Sequence, residues 1–197
     1  MILLFKNKFH RHSLRLKEYD YSSAGVYFVT VCAHNRECLF GDIIDGEMVL
    51  NDAGKMVERC WLEIPDHYPS VELDEFVIMP NHFHGILYIH EIESTVGAPL
   101  VGALEGNENE LSQLHGQPQG IAPTVTLGKI VGEYKSLTTL LYVRGVNELQ
   151  WKRFNTRLWQ RNYYEHIIRD ESDLNRIREY IINNPARWQD DEENPFS

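Results

Sequence analysis

Apolar and polar residues follow one another along the chain in patterns that predict both strands and helices. A β-branched and aromatic run over 26–34 predicts a buried strand, and the runs over 71–79 and 82–90 predict two more. Asp45-Gly46 stands between two short apolar runs and predicts a hairpin with a two-residue turn. These segments together predict an antiparallel sheet.

Apolar residues at helical spacing predict three helices. The predicted helices run from a cap at Asn51 or Asp52 to about Ile64, where Pro65 closes the helix, over about 126–143, and from Ser172 or Asp173 to Asn183-Asn184-Pro185. The segment 151–159 is ambiguous, with a short strand as one interpretation. Helices interleaved with antiparallel strands predict an α+β fold, a ferredoxin-like α/β sandwich with a central antiparallel sheet.

The length of 197 residues and the hydrophobic content of 43% favour one domain, covering 1–197. Gly, Pro, Asn, Gln and Ser dominate 94–125, which predicts a flexible insertion. The acidic segment 189–197 predicts a loose tail. No apolar run approaches the roughly 20 residues of a membrane span, so the expectation is a soluble, cytoplasmic protein without membrane contact.

Charge is unevenly distributed. The formal net charge of −10 argues against a nucleic-acid partner, but residues 1–17 and 129–169 hold 13 of the 19 basic residues. An acidic chain can still present a basic surface to phosphates. The candidate DNA-binding residues are Lys6, Lys8, Arg11, Arg15, Arg161 and Arg169. A set of solvated charged faces is the competing interpretation.

The candidate chemistry begins with His82-Phe83-His84. Residues i and i+2 of a strand share one face, so both imidazoles converge while Phe83 points into the core. Two imidazoles suit Mn and related metals, and they can also bind Mg when water and phosphate oxygens complete the coordination. The spacing alone is a weak signal, because many such pairs are incidental.

Tyr180 is the candidate nucleophile. On a helix, Tyr180 and Asn184 lie one turn apart, so an amide oxygen can serve as a third metal ligand near a phenol. Because the pKa of a phenol is about 10, the phenolate needs a nearby metal or base. Pro185 disfavours helical backbone at Asn184, which leaves Asn183 as the alternative ligand.

Three blocks of sequence resemble the REP-associated tyrosine transposases, within the single-tyrosine HUH superfamily (His, hydrophobic residue, His). The blocks are MPNHFHGIL at 79–87, LWQRNYYEHIIRD at 158–170 and IREYIINNP at 177–185, in the family's order. By matching position, the resemblance implies that His82 and His84 bind metal, that Tyr180 is the nucleophile and that Asn184 is the third ligand.

The resemblance also implies a substrate, a reaction and a cofactor. The substrate is single-stranded DNA, often hairpin-forming. It is cleaved and rejoined by transesterification through a 5′-phosphotyrosine, with Mg²⁺ or Mn²⁺ as the divalent cation. A homodimer and a monomer are both compatible with it. His166 falls within the second block and Lys135 on the preceding helix, and both are candidate supporting residues.

Three other functions remain open on the sequence. A replication initiator or relaxase of the same superfamily often has a lysine near its tyrosine, and none follows Tyr180 here. A ferredoxin-like nucleic-acid binding module without catalysis would present aromatic residues on its sheet. A metal hydrolase would need a carboxylate base, for which Glu91 and Glu93 are candidates.

Overall fold

The secondary structure comes from a computed structural model that describes residues 24–91 and 125–196. Its strands are β1 (Gly25–Cys32), β2 (Gly41–Ile44), β3 (Glu47–Leu50), β4 (Val71–Ile78), β5 (His82–Ile89) and β6 (Tyr164–Ile168). Its α-helices are α1 (Asp52–Leu62), α2 (Ile64–His67), α3 (Leu127–Glu148) and α4 (Glu171–Asn183). Two 3₁₀ helices cover His34–Arg36 and Pro185–Asp190.

Four strands form the main sheet in the order β4-β5-β1-β6, and each neighbouring pair is antiparallel. In chain order, β1, α1, β4, β5, α3 and β6 make the ferredoxin-like β-α-β-β-α-β arrangement. The predicted fold is therefore confirmed. The β2–β3 hairpin is inserted between β1 and α1, and α4 is added after β6.

The two faces of the sheet pack against different helices. On one face, Phe83 and Val29 join the core formed with α1 and α3. On the other face, Phe28 and Ile86 join a smaller core that includes Ile177 of α4. Because side chains alternate along a strand, β5 supplies both cores at once.

Local signals explain the hairpin and the first helix. Asp45 and Gly46 have φ values of 53° and 81°, which the two-residue turn of a hairpin requires. The Asn51 side chain accepts a hydrogen bond from the Gly54 backbone N–H and caps α1, as predicted. Pro65 does not simply end the helix. It lies in the first turn of α2, where the missing N–H costs nothing.

Several elements differ from the sequence predictions. The segment 151–159 forms no named strand and contributes only an isolated bridge from Trp159 to Ala33. Strand β6 was not predicted. The cap of α4 is Asp170, which accepts a hydrogen bond from the Asp173 backbone N–H, so the helix begins earlier than Ser172. The predicted insertion at 94–125 lies outside the described residues except for Val125.

The acidic C-terminal segment also differs from the predicted loose tail. Trp188 and Asn194 are buried, and the Asn194 amide donates a hydrogen bond to the Trp188 carbonyl at 2.9 Å. The Glu193 carbonyl accepts from the Asn81 amide at 2.6 Å. A buried tryptophan and paired polar groups outweigh the net charge that predicted a loose segment.

Candidate active site

The site is centred on His82 and His84 at the start of β5. Their side chains share the α4 face of the sheet, as the strand alternation predicts, and Phe83 lies on the opposite face. Both imidazoles are buried, and the two Nε2 atoms face each other at 3.0 Å.

The Asn81 amide fixes the proton on His82. Its nitrogen donates to the backbone carbonyls of Arg36 at 3.0 Å and Glu193 at 2.6 Å. The amide oxygen is therefore turned towards His82 Nδ1, at 2.9 Å. Because that oxygen only accepts, Nδ1 carries the proton and the His82 Nε2 lone pair points into the site.

A second contact orients His84. Thr30 lies opposite His84 in the β1–β5 register, and its hydroxyl oxygen is 2.7 Å from His84 Nδ1. The Phe28 ring stacks on the imidazole with centroids 5.4 Å apart. Such outer contacts set the ring orientation of metal-binding histidines.

Electrostatics keep both histidines neutral. Burial, helped by the charge of Arg36, lowers the pKa of His82 to about 3. Burial, with His82 beside it, also lowers the pKa of His84 well below its ordinary value. Neutral imidazoles are the form that binds metal ions.

Helix α4 brings Tyr180 to the histidine pair. The phenol oxygen lies 3.3 Å from His84 Nε2, and the Tyr180 ring meets Phe28 edge-on with centroids 6.1 Å apart. Burial, followed by the negative charge of Asp191, raises the pKa of the Tyr180 phenol. In the protein alone, the phenol is protonated near neutral pH.

Asn184, and not Asn183, lies at the site. Despite Pro185, Asn184 keeps helical backbone angles with φ −61° and ψ −44°. Its side chain is buried beside Tyr180, and a hydrogen bond from the Asn184 amide lowers the pKa of the phenol, against the effect of burial. Asn183 is exposed and donates to the Glu179 carbonyl at 2.7 Å.

These groups fit a divalent cation. The Asn184 amide oxygen is buried and has no hydrogen-bond partner among the described residues. The same side chain bonds to the Tyr180 phenol, which lies against His84, so its oxygen is a donor that a cation at the histidine pair would satisfy. Within 24–91 and 125–196, no group of three or more His, Cys, Asp and Glu side chains could hold a metal ion.

The two predicted supporting residues lie in different places. His166 Nε2 is 2.7 Å from an Asp173 carboxylate oxygen and joins β6 to α4. The Lys135 ammonium donates to the backbone carbonyls of Gln160 at 2.7 Å and Arg161 at 3.0 Å, and burial lowers its pKa. No contact of either residue with the histidine pair is seen among the described residues.

The predicted DNA-binding residues are only partly described. Lys6, Lys8, Arg11 and Arg15 lie outside the described residues. Arg161 and Arg169 are exposed, and Arg161 lines an open cavity.

The sequence interpretation did not single out several residues that shape the site. Asn81 stands beside His82 in the first block, so its position was a usable signal. Thr30 carries no such signal, because only the strand register places it against His84. Arg36 and Glu193 reach the site from loops whose course the sequence does not predict.

No model of a known protein family matches the chain. An uncharacterised protein of Haemophilus influenzae is 45% identical over 187 residues, covering 93% of this chain and 92% of that protein. A second Haemophilus influenzae protein, named "Putative REP-associated tyrosine transposase", is 21% identical over 168 residues, or 85% of this chain and 74% of that protein.

Two solved structures are also similar. One is a REP-associated tyrosine transposase bound to a REP hairpin, with 19% identity, a TM-score of 0.48 and coverage of 83% of this chain and 67% of that chain. The other is named a "putative transposase" from Deinococcus radiodurans R1, with 14% identity, a TM-score of 0.41 and coverage of 85% and 94%.

The sequence blocks and the distant transposase match make the chain a relative of the REP-associated tyrosine transposases. Within that group, it belongs to the same family as the uncharacterised Haemophilus influenzae protein. None of the helices in the described part of the chain is long and apolar enough to cross a membrane.

Proposed function

We propose that the protein is a single-stranded DNA transposase and endonuclease that cleaves and rejoins DNA through Tyr180. The observation that carries the proposal is the Tyr180 phenol oxygen 3.3 Å from His84 Nε2, which itself faces His82 Nε2 at 3.0 Å. A nucleophile, two neutral imidazoles and an orphaned amide oxygen meet at one point of a buried face.

The reaction is a transesterification. The Tyr180 phenol oxygen attacks a backbone phosphorus, so a bond from tyrosine to phosphate forms and the bond to the 3′ oxygen breaks. The phenol loses its proton and the departing 3′ oxygen gains one, leaving a 5′-phosphotyrosine and a free 3′-hydroxyl. A second 3′-hydroxyl can reverse the exchange and join strands without ATP, because the number of phosphoester bonds is conserved.

The chain's own residues prepare this step. Asn81 and Thr30 hold the two imidazoles, and the Asn184 amide lies against the phenol. His82, His84 and Asn184 would hold Mg²⁺ or Mn²⁺. When bound, the cation supplies the positive charge that polarises the phosphate and favours the phenolate. Burial of Tyr180 raises its pKa, so without that charge the residue is a poor nucleophile.

The substrate part of the proposal rests on the family resemblance. It is single-stranded DNA, hairpin-forming in related transposases, and a DNA substrate places the protein in the cytoplasm.

The binding-module alternative is disfavoured by how the sheet is covered. Modules that stack bases on a sheet need an open face with exposed aromatic residues. Here α1 and α3 cover one face, and α4 covers much of the other and buries Phe28. Both imidazoles are also buried, so they offer chemistry and not a stacking platform.

Glu91, one of the two bases predicted for the metal-hydrolase alternative, lies away from the histidine pair. Glu91 follows the far end of β5, seven residues beyond His84, which corresponds to roughly 23 Å of extended chain. Its side chain is exposed. Glu93 lies outside the described residues.

Covalent trapping tests the proposal. Purified protein is mixed with labelled single-stranded hairpin oligonucleotides and Mn²⁺ or Mg²⁺, denatured, and examined for a DNA–protein adduct. We expect an adduct that requires metal and is lost in Tyr180→Phe and His82→Ala. Tyr88→Phe is the matched control, since this tyrosine on the same β5 face donates to Asp74 and stays outside the histidine pair. An adduct that persists in Tyr180→Phe would overturn the assignment of the nucleophile.

A further inference from the structure

A cavity of about 840 Å³ opens at the surface beside the candidate active site. It is lined by His34, Asn35, Arg36, Arg157, Gln160 and Arg161. One wall is the 3₁₀ helix after β1, and the other is the loop before β6. We call this the arginine cavity.

The arginine cavity carries positive charge that the described protein does not neutralise. Arg157 and Arg161 form no ion pair with any residue of 24–91 or 125–196, whereas Arg36 pairs with Glu193 at 2.9 Å. Carboxylates pair with Arg59, Arg144, Arg176 and Arg178. Arg157 and Arg161 differ from the exposed arginines that also lack an ion pair in the described residues because they line a concavity together. Unpaired guanidinium groups around a concavity create a local positive potential even in a chain of net charge −10.

The cavity is directly connected to the histidine pair. The Arg36 carbonyl accepts from the Asn81 amide, whose oxygen orients His82. On the other wall, the Gln160 backbone N–H donates at 2.9 Å to the carbonyl of Cys32, which lies opposite His82 in the sheet. The arginine cavity therefore lies next to the strand ends that carry the histidine pair.

Both walls are held in place before any ligand binds. The half-buried Lys135 ammonium donates to the carbonyls of Gln160 and Arg161, and the His34 backbone N–H donates to the Leu158 carbonyl at 2.8 Å. Asn35 and Arg36 have φ values of 57° and 56°. Asparagine tolerates this left-handed region, whereas arginine keeps it only when its surroundings enforce it. A preformed site loses less freedom on binding.

We propose that the arginine cavity binds a backbone phosphate of single-stranded DNA next to the phosphate that Tyr180 attacks, with Arg157 and Arg161 as the ligands. The inference rests on the proposed function. Guanidinium groups suit phosphate because they offer paired N–H donors and a permanent charge. Such a contact fixes the register of the strand without reading its sequence.

The test is the salt dependence of DNA binding, measured by fluorescence anisotropy from 50 to 300 mM NaCl. The probe is a fluorescein-labelled single-stranded hairpin oligonucleotide with a 12-nucleotide tail, and the full chain carries Tyr180→Phe so that no reaction occurs. Each phosphate contact to a single strand contributes about 0.7 to the slope of log affinity against log salt. We expect Arg157→Gln with Arg161→Gln to remove this one phosphate contact, which should reduce the slope by about 0.7 and weaken binding roughly fivefold at 0.1 M salt.

Control variants separate this site from general charge effects. Arg144→Gln removes a surface arginine that pairs with Glu148 on α3, and it should leave the slope unchanged. Arg161→Gln alone removes an exposed side chain and should give half the slope change, which covers the case in which the double variant does not fold. Arg157→Lys with Arg161→Lys keeps both positive charges and should therefore retain most of the wild-type slope.

The outcomes distinguish the cavity from the chemistry. The wild-type protein could form no adduct while the double variant still shows the smaller salt dependence. That result would support phosphate binding in the arginine cavity and contradict catalysis by Tyr180. If the adduct forms and the double variant keeps the full slope, or loses no more than Arg144→Gln, the cavity is overturned. Absence of single-strand binding by the Tyr180→Phe protein also overturns it.

Discussion

The two faces of the main sheet use the same strands for opposite purposes. On the α1–α3 face, Phe83 packs on Trp61 with ring centroids 4.4 Å apart, and Tyr134 closes the cluster at 5.6 Å from Phe83. On the α4 face, one residue to either side of Phe83, two imidazoles meet nitrogen to nitrogen. Strand β5 therefore contributes to an apolar core on one face of the sheet and to a polar site on the opposite face.

The difference shows that the unfavourable interactions of the fold lie on the α4 face. Burying apolar rings stabilises the fold, whereas burying neutral imidazoles and an orphaned amide oxygen costs free energy until a ligand satisfies them. The α1–α3 face is tightly packed at Gly85, because a Cβ atom there would approach the Trp61 ring to 2.7 Å. The α1–α3 face holds the scaffold rigid, and the α4 face can then keep polar groups in place.

Phe83→Ala should produce the largest loss of stability. Its side chain is fully buried, and large-to-small changes of a core phenylalanine cost about 3–5 kcal/mol. His82→Ala, on the neighbouring position and the opposite face, should cost clearly less in metal-free buffer because it also removes a buried polar group. Urea unfolding of both variants makes the comparison. Equal losses would contradict the division of labour between the faces.

Asn184→Ala against Asn183→Ala tests the amide at the end of α4. We expect Asn184→Ala to slow adduct formation roughly 100-fold, about 2.7 kcal/mol of barrier. Asn183→Ala should be within twofold of wild type, since that side chain is exposed and bonds only to the Glu179 carbonyl. Single-turnover kinetics at saturating Mn²⁺ would measure both. A larger effect of Asn183→Ala would return the ligand role to that residue.

The sequence was informative where chemistry and local periodicity coincide. The alternation over β5 correctly placed His82 and His84 on one face and Phe83 in the core, because side-chain direction on a strand is set by the backbone alone. The hairpin turn at Asp45-Gly46 was predicted from an equally local property, because Asp-Gly accepts the positive φ values of a two-residue turn. Trp159, in the second sequence block, is buried and donates to the Thr138 hydroxyl at 2.8 Å.

The sequence did not predict the features that depend on tertiary contacts. Strand β6 has five residues, and its pairing with β1 was not evident from its own pattern. Asn184 stays helical although the following proline disfavours it, which shows tertiary packing outweighing a local preference. The C-terminal segment is acidic, and nothing local indicates that Glu193 meets Asn81.

Thr30→Val tests whether a contact outside the proposed metal ligands orients His84 on the α4 face. Valine keeps the shape of the side chain but removes the hydroxyl 2.7 Å from His84 Nδ1. Outer partners of metal-binding histidines are worth about 10–100-fold in metal affinity, so the Mn²⁺ concentration for half-maximal adduct should rise about tenfold. Thr139→Val is the control, because that hydroxyl donates to the Lys135 carbonyl on α3. An unchanged Mn²⁺ requirement would show that Thr30 does not orient the imidazole.

Asp74→Asn should produce the smallest effect of these variants, a change in Tm that depends on pH. Asp74 of β4 accepts hydrogen bonds from Arg178 at 2.9 Å and Tyr88 at 3.0 Å, and Arg178 lies on α4, two residues before Tyr180. The bond from Arg178 lowers the pKa of the Asp74 carboxyl. A partly exposed pair of this kind should be worth a Tm change of roughly 2–4 °C at neutral pH.

The sign of the pH effect follows from the lowered pKa. The stabilisation is fully present above the unfolded pKa of about 3.9 and is lost as pH falls through the folded value. The wild-type Tm should therefore fall faster than the Asp74→Asn Tm between about pH 5 and pH 2, and the two curves should converge in acid. Asp52→Asn, which removes an exposed partner of Lys55, should leave the Tm unchanged at every pH. If Asp74→Asn differs from wild type by the same amount at pH 2.5 and pH 7, the carboxylate charge does not hold α4 on the sheet.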